Sequence, residues 1–186
     1  MVHTNVIGTS PNSILTHLEI FPLNAINNEI QPDPSKDIAK LVLINRYKST
    51  AKPALAFVRG LNLQQIAIAS SVSHDSHNII AAGCSDTLIC NAVNKVIEEK
   101  GGICIATEDQ VKIIKLPIAG LISDLTIEEL SSLQNEISRL LIKMNNRLEA
   151  PFMTLSFLSL LVIPNVKISN RGLFLVMENQ FINVEV

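Results

Sequence analysis

A chain of 186 residues that is 47% hydrophobic carries enough apolar material for one full core, with room for a small appendage. Its 15 basic and 17 acidic side chains leave a net charge of −2, which offers no basic patch to nucleic acid or an anionic membrane. Aromatics at 4%, with no tryptophan, are too scarce for a base-stacking platform.

No run of about 18 apolar residues occurs, so no transmembrane helix is expected. The opening Met1-Val2-His3-Thr4-Asn5 lacks the basic flank and apolar stretch of a signal peptide. Three cysteines, Cys84, Cys90 and Cys104, are odd in number and form no C-x-x-C pair. Reduced, buried thiols in a cytoplasmic protein are the expectation.

In chain order, residues 2–7 read as a short strand closed by a turn cluster over 8–12, and residues 14–23 as a second strand ending near Pro22. His17 reads as a strand surface residue, since nothing near it in sequence completes a site. Residues 31–37, with Pro32 and Pro34, read as a linker. A boundary there gives a small β appendage with its linker over 1–34 and a main domain over 35–186. Leu41-Val42-Leu43-Ile44 predicts a strand buried on both faces, and residues 54–60 another.

Ser85, with Asp86 after it, predicts a helix start, and Leu88, Ala92, Val93, Val96 and Ile97 share one face. Gly101-Gly102 is expected to supply the left-handed residue that ends this helix. A hairpin follows over 103–116. Thr126 and Glu129 have capping-box spacing, and apolar residues from Ile127 to Leu148 recur at threes and fours. Residues 151–161 are apolar all round, which suits a buried short helix or an interface element. The tail from 166 alternates in pieces and reads as edge strands. The fold class expected is α/β of the α+β kind, a mixed β-sheet packed with a few helices.

Chemistry concentrates in one place. Residues 66–69 alternate Ile and Ala, residues 79–82 resume the apolar pattern, and the polar knot Ser73-His74-Asp75-Ser76-His77-Asn78 sits between them. Two buried strands with a turn between them are predicted, and the turn would lift two imidazoles and a carboxylate to the rim of a sheet. The knot is also readable as nothing more than a hydrogen-bonded turn. His74 and His77 could share a metal only within a turn, because residues three apart in a strand face opposite sides.

At that knot the sequence also resembles a known family. Ala56-Phe57-Val58-Arg59-Gly60, the block from Ala69-Ser70-Ser71-Val72 through Asn78-Ile79-Ile80, Leu116-Pro117-Ile118-Ala119-Gly120-Leu121 and Pro151-Phe152-Met153-Thr154-Leu155-Ser156-Phe157-Leu158 resemble the C-terminal domain of bacterial adenine deaminase. Val6-Ile7-Gly8, Ile14-Leu15-Thr16, Asp33-Pro34 and Asn170-Arg171-Gly172-Leu173-Phe174 extend the likeness over nearly the whole chain. The resemblance implies a metal-dependent amidohydrolase that converts adenine and water to hypoxanthine and ammonia. Its divalent metal (manganese, iron or zinc) would be held on a preceding (β/α)8 barrel.

The four histidines here, His3, His17, His74 and His77, include no H-x-H pair of the barrel type. The H-x-E and P-C-x-x-C pattern of nucleobase deaminases is missing too. No barrel, no confidently bound metal and no catalytic residue are therefore expected on this chain alone. Arg46-Tyr47 departs from the family's pattern, which has a histidine after the arginine, and Ser73 replaces a usual alanine. The resemblance makes Asp75 and His77 candidates for contacts at or next to the substrate, with His74 and Asn78 holding the turn and Arg46 close to the substrate.

Implied partners are the barrel domain, in the same or a separate chain, and adenine. Nucleic acid and membrane are not expected. One alternative is a non-catalytic scaffold that assembles a homo-oligomer through residues 152–161. The other is a stand-alone metal hydrolase using His74, Asp75 and His77.

Overall fold

The computed structural model describes residues 1–11, 13–146 and 148–186. Asn12, the last residue of the turn cluster expected over 8–12, lies outside the described residues. The chain opens with β1 (Val2–Thr9), β2 (Thr16–Leu23) and the short hairpin β3 (Ala25–Ile26) and β4 (Glu29–Ile30). A 3-10 turn at Pro34–Lys36 leads into β5 (Ile38–Ile44), β6 (Ala54–Arg59), β7 (Ala67–Ser70) and β8 (Ile79–Gly83). Then come α1 (Asp86–Glu98), β9 (Gly102–Ala106), β10 (Val111–Lys115), α2 (Ile127–Lys143) and α3 (Pro151–Phe157). The chain closes with β11 (Val166–Ser169), β12 (Gly172–Leu175) and β13 (Gln180–Ile182).

Eight strands form one sheet in the order β10-β9-β7-β8-β5-β6-β1-β2, and β11-β12-β13 form a second. Every neighbouring pair is antiparallel except β1 with β6, which run parallel with Val6 opposite Phe57. This is the expected mixed α+β architecture, without a closed barrel.

The division expected at residue 34 does not fall between two sheets, because β1 and β2 extend the same sheet as β5 and β6. The linker closes as the single 3-10 turn, with the Ser35 amide donating to Asp33 Oδ1 and Asp37 in the left-handed region at φ 56°. Nothing in a local pattern marks which distant strand an edge will join, and parallel pairing in particular leaves no turn signature.

The Ile/Ala alternation decides how the layers pack. The large residues Ile66, just before β7, Ile68 of β7 and Ile80 of β8 point to one face, where they meet Ile137 and Leu141 of α2 and Leu155 and Leu158 around α3. The small residues Ala67, Ala69 and Ala81 point to the other face, beneath Leu88, Ile89, Ala92, Val93 and Val96 of α1. Their size lets α1 lie close on the sheet. A Cβ on Gly83 would fall 2.8 Å from that of Ala67 and 3.1 Å from Ile89 Cγ1, so a larger residue there would push the helix away.

Ser85 caps α1, and Thr126 with Glu129 forms a reciprocal capping box on α2. Helix α1 ends at Glu98, and the left-handed residue comes one position before the expected glycines: Lys100 sits at φ 62°, while Gly102 already belongs to β9. Gly101, at φ 143°, is needed because a side chain there would run into Gly120. Helix α2 stops at Lys143, short of Leu148, and only Ile137 and Leu141 of its apolar stripe are buried.

Candidate functional site

The polar knot is the connection between β7 and β8, as its flanking alternation requires. Its backbone is tied down by the distant segment from Ser156 to Ser159. The His74 amide donates to Ser156 O at 3.0 Å, and Ser159 Oγ donates to His74 O at 2.8 Å. Ser73 is fully buried and its hydroxyl lies 2.6 Å from that of Ser159. The turn closes on itself through the His77 amide to Ser73 O at 2.7 Å, and Tyr47 OH donates to Ser76 O at 3.1 Å from the far side.

Two atoms in this turn have no such partner. His77 Nδ1 and Asn78 Oδ1 are buried and make no hydrogen bond, although Asn78 is only 4% exposed. Asn78 uses its amide nitrogen to reach Ser76 Oγ at 3.1 Å, which leaves its oxygen without a donor. An unsatisfied buried polar group costs about 1–3 kcal/mol. His77 also holds the left-handed conformation at φ 51°, a further cost of about 1–2 kcal/mol for a residue with a side chain. Neither cost is required to join two strands.

The His74 and His77 rings stand edge to face with centroids 5.7 Å apart, and His74 packs on Phe157 at 5.0 Å. His74 borders a groove of about 740 Å³ shared with Val72 and Phe152, whereas Asp75 is exposed to solvent. His74 and Asn78 are thus built into the turn, while the His77 ring keeps an unused nitrogen. Among the described residues no group of three or more His, Cys, Asp and Glu side chains could hold a metal ion. The described side chains therefore do not fit a divalent metal, which the resemblance implies for the preceding barrel.

Arg46 lies two residues after the end of β5 and directly precedes Tyr47. Its Nη2 donates to Ala119 O, and its guanidinium sits 5.1 Å from the Tyr47 ring centroid. Arg46 and the knot are therefore joined through Tyr47, which contacts both.

Two features differ from the sequence expectations. His17 does have company: its Nε2 lies 2.8 Å from Glu19 Oε1, and Arg59 donates to both oxygens of Glu19 at 2.7 and 2.8 Å. Those bonds from Arg59 hold the Glu19 carboxyl below the usual range against the opposing effect of burial. Residues two apart on β2 pointing to one face could have suggested His17 with Glu19, but Arg59 comes from β6. The cysteines also differ from one another. Burial pushes the Cys84 and Cys104 thiols up to about 12, which disfavours the thiolate, while Cys90 is exposed on α1.

Among the described residues no helix is long and apolar enough to cross a membrane. Residues 13–180 match the family described as the adenine deaminase C-terminal domain. The adenine deaminase of Sulfurovum sp. (strain NBC37-1) is 47% identical over 174 residues, covering 93% of this chain and 31% of that protein. The adenine deaminase of Parabacteroides distasonis is 44% identical over 91% of this chain and 31% of its own length. The adenine deaminase of Methanosarcina mazei is 41% identical over 96% of this chain and 32% of its own length. The chain spans about a third of the length of the curated relatives it matches. On a match that runs through both sheets and the polar turn, this chain belongs to the adenine deaminase C-terminal domain family.

Proposed function

We propose that this chain acts as the C-terminal part of an adenine deaminase, converting adenine and water to hypoxanthine and ammonia together with a metal-bearing barrel. The barrel would carry the divalent metal, manganese, iron or zinc, and the present chain would be inactive without it. The observation that carries the reading is the pair of buried, partnerless atoms on the knot, His77 Nδ1 and Asn78 Oδ1. A turn that keeps such groups at a sheet rim is suited to meeting a neighbour that satisfies them.

Hydrolytic deamination needs a proton delivered to the departing amine, and an imidazole is suited to relaying one near neutral pH. His77 is the group proposed for that relay or for a contact beside the purine, and Asp75, exposed on the same turn, for a second contact. Arg46 is proposed to act at the border of the same region through Tyr47.

The test is kinetic and uses the complete enzyme, barrel and C-terminal part together. His77→Ala is expected to lower kcat/KM for adenine by about 10-fold or more, the scale seen when a supporting contact of an active site is removed. Wild-type kinetics in a folded variant would remove the assignment.

A second reading, a scaffold that assembles subunits, has one observation in its favour. Met153 and Val162 are 61% and 78% exposed at either end of the apolar segment, although Leu155 and Leu158 between them are buried in the chain's own core. Light scattering after size exclusion distinguishes this reading, and a strict monomer would count against it.

A further inference from the structure

We propose that the cleft between the end of β5, the end of α1 and the turn at 117–120 binds a phosphate group, carried by an organic monoester or as the free anion. It is a cleft of about 650 Å³, and Arg46, Lys48 and Lys100 all line it while no carboxylate does. Among the described residues the ion pairs engage Lys36, Lys40, Arg59, Lys95, Lys112 and Lys115, and none of the three cations of the cleft. The Lys48 and Lys100 ammonium groups have no hydrogen-bond partner there either. Three uncompensated positive charges around one concavity favour a doubly charged anion over a carboxylate.

The cleft is also built to hold its arginine. The guanidinium crosses Gly120, where a Cβ would overlap Nη1, and it is fixed by Ala119 O on one side and the Tyr47 ring on the other. Tyr47 is itself held by its bond to Ser76 O. A planar fork fixed in this way loses little freedom on meeting a phosphate, to which it can donate two parallel bonds.

The C-terminal end of α1 would repel an anion if its last carbonyls faced the cleft. They do not have to: Lys95 O, Val96 O and Ile97 O accept from the amides of Glu99, Gly101 and Lys100 at 2.9–3.1 Å. Beneath the cations the walls are apolar, formed by Ile44, Ile79 and Ile97, which suits the body of an organic ester. Every group invoked comes from this chain, so binding can be measured without the barrel; the cleft shares Arg46 and Tyr47 with the deaminase reading, and a failure here leaves the His77 assignment standing.

Titration calorimetry of the purified chain at low ionic strength tests it, with inorganic phosphate, adenosine monophosphate and adenosine as probes. Adenosine monophosphate is expected to bind at least 10-fold more tightly than adenosine, and added salt should weaken it. Arg46→Ala should weaken it by about 10-fold or more. Lys48→Glu and Lys100→Glu, on exposed side chains that support no packing, should each weaken it as well. If the monophosphate binds more tightly than inorganic phosphate, the occupant is an organic ester. Equal affinities would assign the free anion, and either result supports the phosphate site. The proposal is overturned if neither anion binds, if adenosine binds as well as its monophosphate, or if the three folded variants bind like wild type.

Discussion

Two hairpin connections at opposite ends of the same sheet solve the same topological problem in different ways. The turn between β9 and β10 uses only its own residues: the Thr107 amide donates to Gln110 O at 2.9 Å, and the Gln110 amide donates back to Thr107 Oγ1 at 3.1 Å. The turn between β7 and β8 is longer. It draws Ser156, Ser159 and Tyr47 from distant parts of the chain and still leaves His77 Nδ1 and Asn78 Oδ1 without partners. A connection that needs outside support and retains unsatisfied groups is shaped by something beyond the joining of two strands.

If that support is real, removing its foundation should produce the largest effect. Leu155 is fully buried, and the residue after it supplies the carbonyl that receives the His74 amide. Leu155→Ala is expected to destabilise the chain by about 2–5 kcal/mol in urea unfolding. Hydrogen exchange at the His74 amide should speed up at the same time, while the Gln110 amide stays protected to the extent that global unfolding allows. Equal loosening of both amides beyond that limit would mean that the two turns do not differ in what holds them.

A smaller contrast comes from the side chains that close each turn. Ser159→Ala removes the hydroxyl shared by Ser73 and His74 O and leaves the fully buried Ser73 hydroxyl unpaired, at an expected cost of about 1–3 kcal/mol. Thr107→Ala removes only a local link, and about 1 kcal/mol is expected. Comparing the two unfolding midpoints sharpens the distinction, and an equal or larger loss for Thr107→Ala would break it.

The contrast also shows what a sequence can express. The Ile/Ala alternation of residues 66–69 is a pattern of period two, so the strand and both its faces could be read before any partner was known. Ser85 and the Thr126-Glu129 box were legible for a similar reason, since a cap acts within four residues. What could not be read lies at long range. Ser159 meets Ser73 across 86 residues, and β1 slides in beside β6 with no local signal for that pairing. The knot itself was visible in composition, but the two orphan atoms were not, because they are defined by partners that fail to arrive.

The smallest expected effect is also the most direct probe of those atoms. In a hydrogen-bonded core position such as Asn146, which donates to Leu61 O at 2.9 Å and accepts from the Leu148 amide at 3.0 Å, truncation to alanine should cost stability. Asn78 differs, because its oxygen is already buried without a donor, and removing it takes away a penalty along with the bond to Ser76 Oγ. Asn78→Ala is therefore expected to change the stability of this chain by less than about 1 kcal/mol in either direction, once the lost packing is counted. A loss well above about 2 kcal/mol would mean that Asn78 serves the turn alone. A near-neutral result, next to a clear loss for Asn146→Ala, would mean that the folded chain keeps a buried amide oxygen it does not itself use, as expected of a surface meant to be completed by a neighbour.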